Sequence, residues 1–426
     1  MILVTHSVSG PVSHRLVFLI CSLVFSNIHY PLCVKYILPI CYAAHLWRDR
    51  PTIHFPPVKA PLLLFCFFTI LSVWGAAEPT VGSTAVRKLV LFLIMLFAAN
   101  LVVTRRHLEV IYQGLFLESA LAGLVAAFQL VSRYRAVRGL NPDQIYDYMT
   151  LEGRVRGFMG HWMHFSGQQM LVFSALLAFL VFGARRKRVW WLVLAVVSAS
   201  IVFSLTRGAW LGAFAAGIYL MLGWKPRWLW ALPVLVGVGW LLAPPLVRER
   251  VKMALHPSAD PALSIRLEMW QVGWRMIRTH PWLGVGPNNI VPEYPLYLLP
   301  GKSPVVGYHG HLHNNILQLG AERGVPALAM WVWFMLALLG QFWRTRRQAG
   351  PLRWVAEAAL AGWLAVVVEG CFEFNFGSSP VLMLFLFLVS TPTIVEHLEG
   401  KRTVTGTAPI HPPAASEDVP VAGSVP

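Results

Sequence analysis

The chain has 426 residues, of which 56% are apolar and only 13% charged, against about 25% charged in an ordinary soluble domain. Such a chain cannot cover a water-facing surface with charge, so a soluble globular enzyme is excluded and a polytopic membrane protein follows. The net charge of +16 then belongs to loops flanking a bilayer, and no nucleic-acid partner is expected.

Apolar runs of spanning length define the elements. The stretch from Leu16 to Trp47, broken near His29–Pro31, reads as two short spans. No small-residue cleavage site follows it, so no removable signal peptide is expected. Pro61–Ala77, Val86–Val103, Leu108–Val131, Gln169–Gly183, Val189–Leu205, Ala209–Gly223 and Trp228–Val247 come next. After a long polar interval stand Val325–Trp343, Trp354–Cys371 and Pro380–Val395. The expected fold is therefore all-α, with about twelve transmembrane helices in one domain, residues 1–402. Residues 403–426, rich in Pro, Ala, Ser and Val, read as a disordered cytoplasmic tail. Cys21, Cys33, Cys41, Cys66 and Cys371 form no C-x-x-C pair, so neither a disulfide framework nor a thiolate metal site is expected.

Orientation comes from the basic residues. Arg48, Arg50 and Lys59, then Arg105 and Arg106, then Arg185–Arg188, Lys225 and Arg227, Arg344–Arg353, and Lys401 and Arg402 fall in alternate loops. That is the positive-inside pattern, with both termini cytoplasmic. Two long loops, 132–168 and 248–312, fall on the outer side and are basic as well. An outward-facing cationic surface suits anionic head groups or a phosphorylated lipid substrate.

Several residues look chemical. Arg207 sits between two apolar runs in LTRGAW; it either snorkels from a helix end or anchors a phosphate. On a helix over Ser264–Thr279, Glu268, Gln271, Arg275 and Arg278 share a polar arc, whereas Arg266 lies opposite, with Met269, Trp270, Gly273, Trp274 and Ile277. Arg266 is the only charge there, so it either fans away at the helix start or aims a guanidinium at a phosphate. Three readings compete for YHGHLHNN, residues 308–315. Alternating His309, His311 and His313 could bind zinc; the imidazoles could cap the next helix; or His313, where loop meets helix, could be a general base oriented by Asn314. Weaker signals are Gly284-Val285-Gly286-Pro287, a candidate anion-binding turn, and Glu369 and Glu373, read as exposed helix-end carboxylates that could align substrates. His161 and His164 face either the same cavity or only the head groups.

Four segments together carry a family resemblance: RVRGFMGHWMHFSGQ (154–168), LTRGAWLG (205–212), the stretch 266–289 ending in HPWLGVGPNN, and HLHNNILQLGAERG (311–324). They resemble the O-antigen ligase-like membrane proteins, ligases and polymerases of bacterial surface-polysaccharide assembly. The resemblance implies an inverting glycosyltransferase at the periplasmic leaflet of a bacterial inner membrane that takes a glycan from undecaprenyl pyrophosphate to a hydroxyl acceptor, without metal or cofactor. By position, it implies His313 as the base and Arg207 and Arg266 as pyrophosphate ligands. Arg154, Arg156, His161, His311 and Asn314 are then further substrate contacts. An O-antigen ligase acting on lipid A-core is the leading expectation. A polymerase extending the lipid-linked glycan is the rival within the family, and a transporter of an anionic lipid-linked substrate is the rival outside it.

Overall fold

The computed structural model describes residues 53–183, 188–256, 261–301, 310–348 and 350–405. The expected spans between Leu16 and Trp47 and most of the expected tail lie outside them, as do His309 and Lys302. Among the described residues the chain is helical throughout, without strands, and six helices are long and apolar enough to cross a membrane. The protein is a membrane protein.

The helices in order are α1 (Lys59–Leu71), α2 (Pro79–Val86), α3 (Leu93–Leu101), α4 (Arg105–Val137), α5 (Pro142–Leu151), α6 (Trp162–Phe182), α7 (Val189–Phe203) and α8 (Arg207–Trp224). They continue with α9 (Leu232–Leu242), α10 (Pro245–Leu255), α11 (Pro261–Thr279), α12 (Ile290–Glu293), α13 (Asn315–Gln348), α14 (Arg353–Gly370) and α15 (Ser379–Thr405). A 3₁₀ segment, Arg87–Phe92, joins α2 to α3. Each of the ten expected spans after residue 60 has its helix, but by length and apolarity six qualify as spans. Of the other four, Arg207–Trp224 has 18 residues, and the shorter ones are Lys59–Leu71, Val189–Phe203 and the 226–242 stretch, which stops before Pro244 instead of reaching Val247. Proline cannot extend that helix, and Pro245 starts a separate amphipathic one.

The first long loop, expected over 132–168, is also shorter than expected. Helix α4 runs on to Val137, and α6 starts at Trp162, seven residues before Gln169. Polar residues such as Arg133, His164 and Gln168 end an apolar run without ending a helix, since long polar side chains are good helix formers.

Helix α6 sits at the centre, packed by α8 and α14, with 89% of its most apolar stretch buried. Helix α4 is peripheral. Leu117, Leu121, Leu124 and Phe128 form an exposed stripe on one face, which in a bilayer meets acyl chains. Its other face presents Ser119, Ala122, Gly123 and Ala126, small residues that let α7 approach closely. At one end of the bundle Glu357 is enclosed by Tyr219 (2.6 Å), Arg353 (3.0 Å) and Arg346 (3.4 Å). The starts of α6, α8 and α13 gather at the opposite end.

Candidate functional site

His313 lies in the turn that opens α13. Its backbone is left-handed, φ +49°, a costly conformation for a residue with a side chain and one that persists where surrounding contacts enforce it. Those contacts are visible. Asn314 accepts the Leu317 N–H (3.0 Å), capping α13, and donates to the Cys371 carbonyl (3.0 Å). Asn315 donates to Asn375 Oδ1 (2.7 Å) and accepts the Phe376 N–H (3.2 Å). Asn375 in turn donates to Glu369 (3.0 Å) and the Val366 carbonyl (3.0 Å). The two asparagines after His313 therefore clamp the loop between α14 and α15. Gly370 is necessary to this clamp, because a Cβ there would stand 2.2 Å from Asn315 Nδ2. Of the three readings of the histidine segment, helix capping falls to Asn314 and not to an imidazole.

That clamped loop delivers Glu373. Both its carboxylate oxygens lie 3.0 Å from His313 Nδ1. Arg266 Nη2 stands at 3.7 Å and His311 Nδ1 at 3.7 Å. Burial alone would raise the carboxyl's pKa, but the charge of His313 and its hydrogen bond outweigh it, with His311 and Arg266 adding to them, and hold Glu373 down to about 2. His311, its ring 4.1 Å from that of His313, moves the other way. Burial pushes it down to about 4, against the pull of Glu373, so it is neutral at neutral pH. The expected exposure of Glu369 and Glu373 is overturned: they are 1% and 6% exposed. A carboxylate among imidazoles and a guanidinium has partners enough to be buried.

Arg266 is half-buried on α11. Met269, Gly273 and Ile277 from its arc are buried and Trp270 partly so, while Trp274 is 56% exposed. The inward aim expected of Arg266 is thus found, and Glu373 is what it meets. Arg207 begins α8 two residues after Leu205, another left-handed residue (φ +55°). The Leu205 carbonyl accepts from Arg250 Nε (3.3 Å), and Arg250 also donates to Tyr146 (3.4 Å). Arg250, 9% exposed, counted in the sequence only as one of several loop cations; nothing in its spacing marked it. Arg154 stacks on Trp162, its guanidinium carbon 3.8 Å from the ring centre. Burial first, then Arg250 and Arg266, lower its pKa to about 9, with Glu373 opposing and Arg207 adding. Arg154, Arg207, Arg250, Arg266 and Glu373 thus share one electrostatic neighbourhood.

Of the other expected residues, Arg156 stands apart and His161 does not. Arg156 is exposed and reaches only the Gly160 carbonyl (3.5 Å). His161 accepts the Met163 N–H (3.2 Å) as the cap of α6, packs against His164 with ring centres 5.6 Å apart, and acts electrostatically on His311, so it borders the site. The Gly284–Pro287 turn offers no free donors for an anion: Gly284 N–H bonds His280, Val285 bonds Ala321 and Gly286 bonds Glu322. It docks α11 onto α13 instead.

The donor atoms of His311, His313 and Glu373 lie within 4.8 Å of one another, close enough to hold a metal ion. A divalent cation there would compete with Arg266 for Glu373 and would face the arginines around Arg154, a repulsive setting. The chemistry available without a metal is proton transfer at His313 beside an anion-binding field of guanidiniums.

Comparison with known proteins gives one family match. Residues 192–332 match the O-antigen ligase family model, about a third of the chain, and the resemblance seen in the sequence is shown over that segment. The matched region contains Arg207, Arg250, Arg266, His311 and His313; Arg154 and Glu373 lie outside it. No curated protein matches the chain.

Proposed function

Because residues 192–332 carry an O-antigen ligase domain, we propose that this membrane protein is an inverting, metal-independent glycosyltransferase of the O-antigen ligase type. It works at the periplasmic face of the bacterial inner membrane, with both termini cytoplasmic. It transfers a glycan from undecaprenyl pyrophosphate to a hydroxyl of lipid A-core.

The observation that carries the reading is the His313–Glu373 pair. With Nδ1–H given to the carboxylate, Nε2 is the nitrogen left to accept a proton, and the imidazolium that forms is stabilised by the adjacent negative charge. The acceptor O–H proton passes to Nε2. The freed oxygen attacks the anomeric carbon on the face opposite the diphosphate, and the bond from that carbon to the diphosphate oxygen breaks with its electron pair leaving to the phosphate. Arg207 and Arg266 hold that phosphate and stabilise its charge, and Arg154 adds to the field. A transporter would need the guanidiniums but not a buried carboxylate orienting an imidazole.

The test is His313→Ala in the reconstituted full chain, with purified lipid-linked glycan and lipid A-core. Transfer falls by about 10²–10⁴-fold, while binding of the lipid pyrophosphate stays within about twofold of wild type. Wild-type transfer by this variant removes His313 from the mechanism. Elongation of the lipid-linked glycan by the wild type, with none passed to lipid A-core, makes the protein a polymerase.

A further inference from the structure

Of the four arginines that share one electrostatic neighbourhood, Arg207, Arg250 and Arg266 are carried by helices, whereas Arg154 stands in the irregular segment between α5 and α6. A side chain on a loop is placed no better than the loop itself, so a guanidinium that must meet a ligand in one position needs its backbone fixed from outside. Helix α4 supplies that fixing. Gln129 Oε1 accepts the Arg156 N–H (2.9 Å) and the Gly157 N–H (3.1 Å), and Gln129 Nε2 donates to the Gly157 carbonyl (2.7 Å). One side-chain amide thus satisfies three backbone groups of two consecutive residues. One turn further along α4, Arg133 donates to the carbonyl of Arg154 itself. On the side-chain end, Arg154 Nε donates to the Thr150 carbonyl in the last turn of α5, and its guanidinium lies over Trp162.

The packing agrees. Val155 is fully buried and clusters with Met159 against Ala122 and Ala126 of α4 and Phe165 of α6. Gly157 is left-handed (φ +55°), and a Cβ there would stand 2.7 Å from the Phe165 ring and 3.1 Å from the Ala122 carbonyl. Only glycine lets the loop lie this close to α4. Successive residues then alternate, with Arg154 half-buried, Val155 buried in the cluster and Arg156 exposed. The bonds from Gln129 hold the segment in the one register that keeps Arg154, and not Arg156, among the other arginines.

We propose that Gln129 is a positioning residue for the donor diphosphate, acting through Arg154. The assignment rests on the transferase reading above, in which Arg154 adds to the field that holds the phosphate. Both ends of the Gln129 amide are engaged with the loop backbone, so its influence on the donor passes through the placement of the Arg154 guanidinium. A helix whose Leu121, Leu124 and Phe128 face lipid thereby sets the precision of a charged site.

The test is a double-mutant cycle on direct binding of undecaprenyl pyrophosphate by the full chain in zwitterionic nanodiscs, with no acceptor present, so that its outcome does not depend on transfer. Arg154→Ala weakens binding by about tenfold, the scale of one charge-assisted hydrogen bond. Gln129→Met keeps the side-chain length, removes all three hydrogen bonds and weakens binding by about threefold to tenfold. In the Arg154→Ala background the same substitution costs less than about twofold in affinity, because the guanidinium it positions is gone. Its lowering of the thermal midpoint persists in both backgrounds, which separates positioning from stability. Gln129→Glu keeps the acceptor for both N–H groups and covers the case in which the methionine variant fails to fold; its smaller loss of affinity likewise vanishes without Arg154. Wild-type affinity in Arg154→Ala or in Gln129→Met, or a loss of equal size with and without Arg154, overturns this proposal alone. Absence of binding by the wild type overturns the donor assignment and the proposal with it. If the cycle behaves as expected but His313→Ala still transfers glycan, the positioning role stands and the transferase mechanism falls.

Discussion

Replacing Glu373 by glutamine tests the site most directly. The side chain keeps its shape and one acceptor oxygen for His313 Nδ1, but the negative charge 3.0 Å from the imidazole disappears. Two unit charges about 4 Å apart interact by about 4 kcal/mol at the effective dielectric of a partly buried site. That energy is withdrawn from the imidazolium as it forms in the transition state, and it corresponds to about a thousandfold in rate. Arg266, 3.7 Å from the same carboxylate, already offsets part of the field, so the expected loss in kcat is on the order of 10²–10³. The donor KM behaves differently. In the wild type the carboxylate competes with the donor phosphate for Arg266, so Glu373→Gln leaves donor KM unchanged or lowers it. Glycan transfer by the reconstituted protein, with donor varied at saturating acceptor, measures both constants. A kcat within about threefold of wild type, or a donor KM raised tenfold with kcat intact, refutes the role given to Glu373.

The same substitution has a signature in stability. A carboxyl held at about 2 when folded, against 4.5 in its ordinary state, contributes stability that is fully present above about 4.5. That contribution is lost as pH falls from there towards about 2. Glu373→Gln therefore flattens the acid side of the thermal-unfolding profile in that window, and an unchanged acid slope contradicts the burial and pairing described for this group.

Three further outcomes are expected. Arg250→Gln, which removes the charge from the side chain that holds the Leu205 carbonyl, raises donor KM by about tenfold, and its effect and that of Arg207→Ala are far from additive in a double-mutant cycle on donor KM. Gly324→Ala places a Cβ about 2.2 Å from the Trp282 carbonyl at φ +78°; it costs on the order of 3 kcal/mol or more and shows as a lowered melting midpoint in detergent. Transfer persists in excess chelator, because Arg266 rather than a cation serves Glu373; loss of activity restored by a divalent metal would assign His311, His313 and Glu373 to that metal.

The helices were readable from the sequence because lipid imposes one rule on every span, and the runs after residue 60 each found a helix. Their ends were less readable. His164 and Gln168 interrupt hydropathy but not hydrogen bonding, so α6 begins well before its apolar run. Among site residues, Arg266 was legible because one guanidinium on an otherwise apolar arc must meet something. His313 was legible only as one of three options. Glu373 was misjudged because a carboxylate near a helix end is ordinarily solvated, and its partner lies sixty residues away in the chain. Arg250 carried no signal at all. Its placement depends on the carbonyl of a left-handed Leu205 and on Tyr146, and hydropathy does not report backbone direction.

One imbalance connects these parts. Arg154, Arg207, Arg250 and Arg266 share a neighbourhood in which Glu373 supports the charge on Arg154 while the other three guanidiniums oppose it. Like charges in a partly buried space repel, and the repulsion must be balanced by rigid contacts elsewhere. The asparagine clamp through Asn315 and Asn375, the cap at Asn314 and the stack of Arg154 on Trp162 supply those contacts. On the proposed mechanism, a diphosphate entering this field relieves the repulsion as it binds, and relieves more as negative charge grows on the leaving oxygen. Stabilisation that increases along the reaction coordinate lowers the barrier, whereas uniform binding would only lower KM. On the proposed mechanism the clustered guanidiniums therefore serve transition-state stabilisation more than the attraction of lipid.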